Sequence, residues 1–220
     1  MNDGQAQTRI WDWTVRLFHW LIVLIVPALW WTADQGLMDW HKRLGLTMFA
    51  LLLFRLTWGV VGTWTARFLP MLRQLLSLPS YLKNLVAGNH EPSFGHSPLG
   101  TLSVIALLGL LSVQVTTGLF SVDVDGLESG PLATLVAFKT GRELADIHEL
   151  NFDLLVIFIA LHISAIAVYR WLFKNDLIRP MVTGMRSDIQ APTTIVVHVW
   201  ELAIGIAVAL AGVYGVTRLG

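Results

Sequence analysis

The stretch from His148 to His162, HELNFDLLVIFIALH, constrains this chain more than any other. It carries histidine at both ends and mostly apolar side chains between them, and with its continuation SAIAVYRWLF it is long enough to cross a bilayer as a helix. A separation of fourteen residues is close to four helical turns. Both rings therefore point to the same side, about 21 Å apart along the axis. That is most of the hydrocarbon thickness of about 30 Å. One helix thus offers an imidazole near each face of a membrane, and the remaining spans decide whether each has a partner.

The chain can supply those spans. Of its 220 residues, 55% are hydrophobic and 14% charged, whereas soluble domains are about a quarter charged. Long apolar stretches run over about 17–32, 44–62, 99–120, 150–173 and 194–216. They predict an all-α integral membrane protein, a single membrane domain over 1–220 with an aromatic, interfacial lead-in at 1–16. The first stretch follows Arg9 and Arg16 as a signal peptide would, but four further spans and no clear small-x-small cleavage site predict a retained helix. Zero net charge gives no polybasic argument for nucleic acid. With no cysteine, disulfides, cysteine-bound iron–sulfur clusters and thioether-attached haem are excluded. A redox cofactor would have to be held noncovalently, and histidine is the obvious ligand left.

Lys and Arg flanking the spans set the orientation. A cytoplasmic N-terminus places Arg9, Arg16, Arg67, Arg73, Lys83, Arg170, Lys174, Arg179 and Arg186 inside, against Lys42, Arg43, Lys139, Arg142 and Arg218 outside. This predicts N-terminus in and C-terminus out. His19 then enters from the cytoplasmic side and His41 opens the second span from the periplasmic side, while His148 is periplasmic and His162 cytoplasmic. Depth sorts the four into the pairs His19/His162 and His41/His148. A porphyrin iron takes two axial imidazoles, and full ligation leaves it exchanging electrons rather than binding oxygen. Two such sites stacked across a bilayer form an electron path. The plainer alternative is a set of satisfied polar side chains, although ionisable groups inside spans are rare and default to function.

Other residues fit less specifically. Gly45, one turn beyond His41, would let a flat macrocycle lie against the second helix, or serves ordinary helix packing. Arg55 falls near the depth of His19 and His162, where it pairs with haem propionates or snorkels to headgroups. Lys42 and Arg43 serve outer propionates or anchor the interface. The segment LPMLRQLLSLPSYLKNL reads as amphipathic and surface-lying. His90 and His96 fall in a loop and read as solvated, and Ser97 in GHSPLG suits a helix N-cap. The loop 121–147 is acidic and suits a basic partner such as a c-type cytochrome, or is simply solvated. His198, about a turn inside the last span beside Glu201, reads as a third ligand, a proton carrier or a bundle-facing hydrogen bond. The tryptophans suggest an interfacial belt.

RLFHW in the first helix, WHKRLGLTMFALLLFRLTWGVVG in the second, GHSPLG, QVTTGLF and the His148–His162 interval together resemble the bacterial cytochrome b561 family, which includes the b-type cytochrome subunit of nickel–iron hydrogenases. The resemblance covers about 9–186, and the last helix matches less clearly. It implies a four-helix transmembrane bundle enclosing two noncovalent, bis-histidine b haems, plus a fifth, C-terminal transmembrane helix. It carries axial-ligand roles onto His19, His41, His148 and His162. It also implies electron exchange in the bacterial inner membrane between quinone or quinol and a periplasmic redox protein, such as a c-type cytochrome or a dehydrogenase or hydrogenase subunit. A quinone site near the cytoplasmic haem, involving His96 or Arg55, is a further expectation. Two rival readings remain: a self-sufficient oxidoreductase acting on a small redox molecule such as superoxide with quinone, and a haem-free transporter or scaffold with proton-relay or metal-binding histidines.

Overall fold

The computed structural model describes residues 7–88, 93–125, 127–187 and 194–220. Its helices are α1 (Trp13–Asp34), α2 (Met38–Val61), α3 (Phe68–Leu75), α4 (Leu78–Val86), α5 (Pro98–Phe120), α6 (Phe138–Trp171), α7 (Ile178–Thr183) and α8 (Val199–Leu219). Five of them, α1, α2, α5, α6 and α8, are long and apolar enough to cross a membrane. The amphipathic stretch between α2 and α5 forms the short pair α3 and α4.

Local chemistry sets the helix starts. Asp12 caps α1, its carboxylate accepting from the Val15 backbone N–H at 2.9 Å. Helix α1 therefore begins four residues before the apolar stretch does. Ser97 caps α5, accepting from the Gly100 N–H at 3.1 Å, with Pro98 as the first helical residue. Helix α6 departs most from expectation. It starts at Phe138, so the presumed loop 121–147 divides into an irregular segment up to residue 137 and about three further helical turns. Hydropathy hides those turns because they are polar, but Lys139 pairs with Glu143 and Arg142 with Asp146 at helical spacing. At 34 residues the helix is about 51 Å long, well over the hydrocarbon thickness.

Helix α2 is the centre of the packing and contacts α1, α5 and α8, while α6 lies against α5. Its apolar residues divide by azimuth. His41, Gly45, Met48, Leu52 and Arg55 recur at i, i+4, i+7, i+11 and i+14 and form one stripe. Met48 and Leu52 on that stripe join Phe18, Leu108, Leu111 and Leu155 in the largest buried cluster. A second stripe meets α8. A Cβ on Gly212 would lie 2.2 Å from Leu53 Cδ1, and one on Gly205 2.8 Å from the Phe54 ring. These glycines let α8 sit close against α2, as small residues do in membrane helix pairs.

The connections fall at two ends. At one, strand β1 (Thr8–Arg9) pairs antiparallel with β2 (Met185–Arg186). Arg16 Nη1 donates to the Val182 carbonyl and Trp20 Nε1 to that of Met181. Gly184, at φ +82°, sits where a Cβ would be 2.7 Å from the Trp11 carbonyl oxygen. At the other end Lys42 forms a 2.8 Å ion pair with Glu128, and Leu132 packs with Val216. Trp13, Trp20, Trp30, Trp31, Trp40, Trp64, Trp171 and Trp200 are exposed, as a belt requires. Trp11 and Trp58 are buried and belong to the core instead.

Candidate functional site

His41 and His148 meet. His41 on the first turn of α2 and His148 on α6 have ring centroids 6.3 Å apart, with the planes at 77°. His41 Nδ1 is 2.9 Å from the Leu29 carbonyl oxygen, and His148 Nδ1 is 2.9 Å from that of Gln114. A carbonyl only accepts, so in both rings Nδ1 carries the hydrogen and the lone pair is left on Nε2. Thr117 Oγ1 stands 3.3 Å from His148 Nδ1, and Asn151 Nδ2 donates to Gln114 Oε1 at 2.6 Å, bracing the same turn of α5.

Both rings line a cavity of about 270 Å³ formed by α1, α2, α5 and α6, near the lower end of small-molecule sites. Its wall is apolar apart from a few groups that include the two histidines. Gly45 is part of that wall, and nothing lies within 4 Å of where its Cβ would be. Close helix packing therefore does not account for this glycine. Across the cavity, a Cβ on Gly118 would come within 2.8 Å of His148 Cε1.

At the N-terminal end of the bundle, His162 Nδ1 is 3.0 Å from the Ser103 hydroxyl. His19 lies near enough to His162 for their charges to interact, and its enclosed Nδ1 has no hydrogen-bond partner among the described residues. His96 was expected to be solvated. It is tucked under Trp11 instead, with ring centroids 4.5 Å apart and Nδ1 fully enclosed. Burial, and then the nearby charges of Arg55 and His162, push its pKa down to about 3, so the ring is neutral at neutral pH. Arg55 does not snorkel: it is 3% exposed. His90 lies outside the described residues.

The placement of His198 is corrected. His198 is not inside the last helix but is the N-cap of α8, its backbone N–H donating to the Glu201 carboxylate at 3.1 Å. Glu201 is thereby occupied in a helix cap. Lys42 is engaged with Glu128, and the Arg43 guanidinium lies 5.4 Å from the Trp40 ring centre. Lys42 is also part of the cavity wall.

The donor set is the decisive observation: imidazoles on membrane-length helices, two of them 6.3 Å apart with Nδ1 held by carbonyls, lining an apolar cavity whose wall includes Gly45 and Gly118. A family model described as prokaryotic cytochrome b561 matches residues 10–184. The chain belongs to the prokaryotic cytochrome b561 family. The match runs from the start of α1 through α7 and stops before α8. No curated protein and no solved structure matches the chain. Membership makes this a multi-pass bacterial membrane protein and a haem b-binding, electron-transferring cytochrome.

The pair His41 and His148 has a spacing compatible with that cofactor. Two metal–imidazole bonds of about 2 Å, with about 1 Å more from each nitrogen to its ring centre, span about 6 Å. The separation of His41 and His148 is 6.3 Å. Hydrogen bonds from Nδ1 to a fixed acceptor are the usual outer support of an imidazole ligand. His19 and His162 supply two more imidazoles, but neither Nδ1 is held to a carbonyl: that of His19 has no partner among the described residues and that of His162 meets the Ser103 hydroxyl. The motif QVTTGLF contains Gln114 and Gly118, but the sequence did not show what they touch, and it did not point to Asn151, Ser103 or the Leu29 carbonyl, because each acts through contact with another helix.

Proposed function

We propose that the chain is a transmembrane dihaem cytochrome b that passes electrons between membrane quinone and a periplasmic redox protein. His41 and His148 hold the outer haem, and His19 and His162 the inner one. Helices α1, α2, α5 and α6 form the four-helix bundle around both, with α8 packed outside on α2. The observation that carries this reading is the 6.3 Å approach of His41 and His148, with both Nδ1 groups committed to carbonyls.

Haem supplies reversible one-electron chemistry when bound. The chain's own contribution is to fix the imidazoles. Leu29 and Gln114 hold the outer rings in one tautomer and orientation, so little reorganisation accompanies a change of charge. The apolar wall excludes water. The fourteen-residue interval on α6 sets the two sites about 21 Å apart, so an electron crosses most of the hydrocarbon within one protein. Quinone as the membrane-side substrate and a periplasmic protein partner are proposed from the family's chemistry.

A reduced-minus-oxidised spectrum with haem quantitation on the purified chain tests the reading. The expected result is two noncovalent, low-spin haems per chain. His148→Ala should lose chiefly one and His162→Ala chiefly the other. Retention of two low-spin haems in both variants would overturn the ligand assignment.

A further inference from the structure

Arg55 is a buried cation in a membrane span without an ion-pair partner among the described residues. It is 3% exposed, and the described ion pairs join Lys42 to Glu128, Lys139 to Glu143, Arg142 to Asp146 and Arg170 to Asp176. Its one hydrogen bond among the described residues runs from Nη1 to the Ala66 carbonyl at 3.2 Å. One face of the guanidinium lies over the Phe68 ring, 5.2 Å from its centre. A guanidinium has more N–H donors than that bond uses, and a buried charge without a counter-ion is costly.

Asp12 is a fixed negative charge that interacts with Arg55 through space. Its carboxylate is already taken. It accepts from the Thr14 hydroxyl, the Val15 N–H, Trp58 Nε1 and the Thr63 hydroxyl, and Arg55 is not among its hydrogen-bond donors. Two other polar atoms in this corner are enclosed and unsatisfied among the described residues: Thr65 Oγ1 and His96 Nδ1. Thr65 adjoins Ala66, the residue that Arg55 bonds, and packs against Gly95, the neighbour of His96. His96 in turn senses the charges of both Arg55 and His162. One cation, one hydroxyl and one neutral imidazole therefore converge beside the inner histidines, and all of them can donate to the same kind of group.

We infer that Arg55, Thr65 and His96 form a carboxylate seat for a propionate of the inner haem. The inference rests on the dihaem reading above, because the ligand is a substituent of the cofactor held by His19 and His162. Such a carboxylate would neutralise Arg55, satisfy the hydroxyl and the imidazole, and hold the haem in one orientation.

The test uses the holoprotein and reads haem loss rather than activity. Transfer of haem from the purified cytochrome to excess apomyoglobin is followed for the wild type, Arg55→Gln and Thr65→Val. Each is loaded with haem b or with its dimethyl ester, which lacks the carboxylates. With haem b, Arg55→Gln should release one haem at least tenfold faster while the other is unchanged, in line with losing a hydrogen bond to a charged group. Thr65→Val should show a smaller acceleration of the same phase. With the ester, wild type and variants should release it at the same rate. Acceleration that persists with the ester would mean that Arg55 acts through the fold or through Asp12, and would overturn the seat. So would unaltered release of haem b from both variants. If Arg55→Gln does not assemble, Thr65→Val with the same pair of haems decides. A wild-type chain holding fewer than two haems would sink the dihaem reading itself, a result separable from either of these.

Discussion

Gly118 is where one methyl group should matter most. A Cβ there would lie 2.8 Å from His148 Cε1, inside contact distance, and 3.1 Å from Nδ1. The ring would have to swing off the Gln114 carbonyl that holds it. Gly118→Ala is therefore expected to disturb the outer haem alone, shifting its low-spin electron paramagnetic resonance signal or losing that haem, with the inner signal intact. Equal perturbation of both signals, or of neither, would contradict the local reading. Asp12 makes a different kind of prediction. It is 1% exposed and satisfies four donors that join the start of α1 to the end of α2. Asp12→Ala removes the cap and strands the buried Trp58 indole N–H and the Thr63 hydroxyl. A loss of about 2–4 kcal/mol is expected, measurable by unfolding in detergent. The sequence showed which histidines share a depth, because depth follows from position in a span. It did not show how each ring is aimed. Leu29, Gln114 and Gly118 act through backbone or through the absence of a side chain, and no residue type advertises that.

At the scale of elements, hydropathy found the five spans but misplaced their ends where polar residues continue the helix. Helix α6 gains three turns from paired charges, and α1 gains its first turn from the Asp12 cap. The last span shows the opposite error: it begins at Val199, because His198 and Glu201 form a cap rather than an interior turn. This matters for function, since it removes His198 from the bundle-facing positions. The variant His198→Ala should keep full haem content. Helix α8 should be separable from the haem chemistry as well, because it packs on the Leu53 and Phe54 side of α2, away from the stripe that carries His41 and Gly45. Gly212→Leu would force a side chain into Leu53, and overpacking of this kind costs about 1–3 kcal/mol. The expected outcome is a lower unfolding temperature and faster proteolysis of α8, with the reduced haem spectrum unchanged. A spectral change would place α8 in contact with a haem.

At the scale of the whole molecule, the two ends of the bundle are built differently, and the difference predicts how it sits in the membrane. The end with β1, β2 and α7 also carries α3 and α4 and most of the lysines and arginines outside the spans. The opposite end, with the Lys42–Glu128 pair and the segment before α6, has fewer. Retention of cations on the cytoplasmic side follows their number near span ends, largely regardless of neighbouring acids. The carboxylates that pair with Lys42, Lys139 and Arg142 therefore do not weaken the argument. With five spans, the N-terminus is expected in the cytoplasm and Gly220 in the periplasm. The absence of cysteine from all 220 residues makes this directly measurable. In intact cells, Thr134→Cys, in the segment before α6, and a cysteine added after Gly220 should react with a membrane-impermeant maleimide. Ser187→Cys, just after β2, should react only once the inner membrane is opened. The reverse pattern would invert the molecule. His41 and His148 would then be the cytoplasmic pair, the Arg55 corner would face the periplasm, and the protein partner would have to approach from the β1–β2 end.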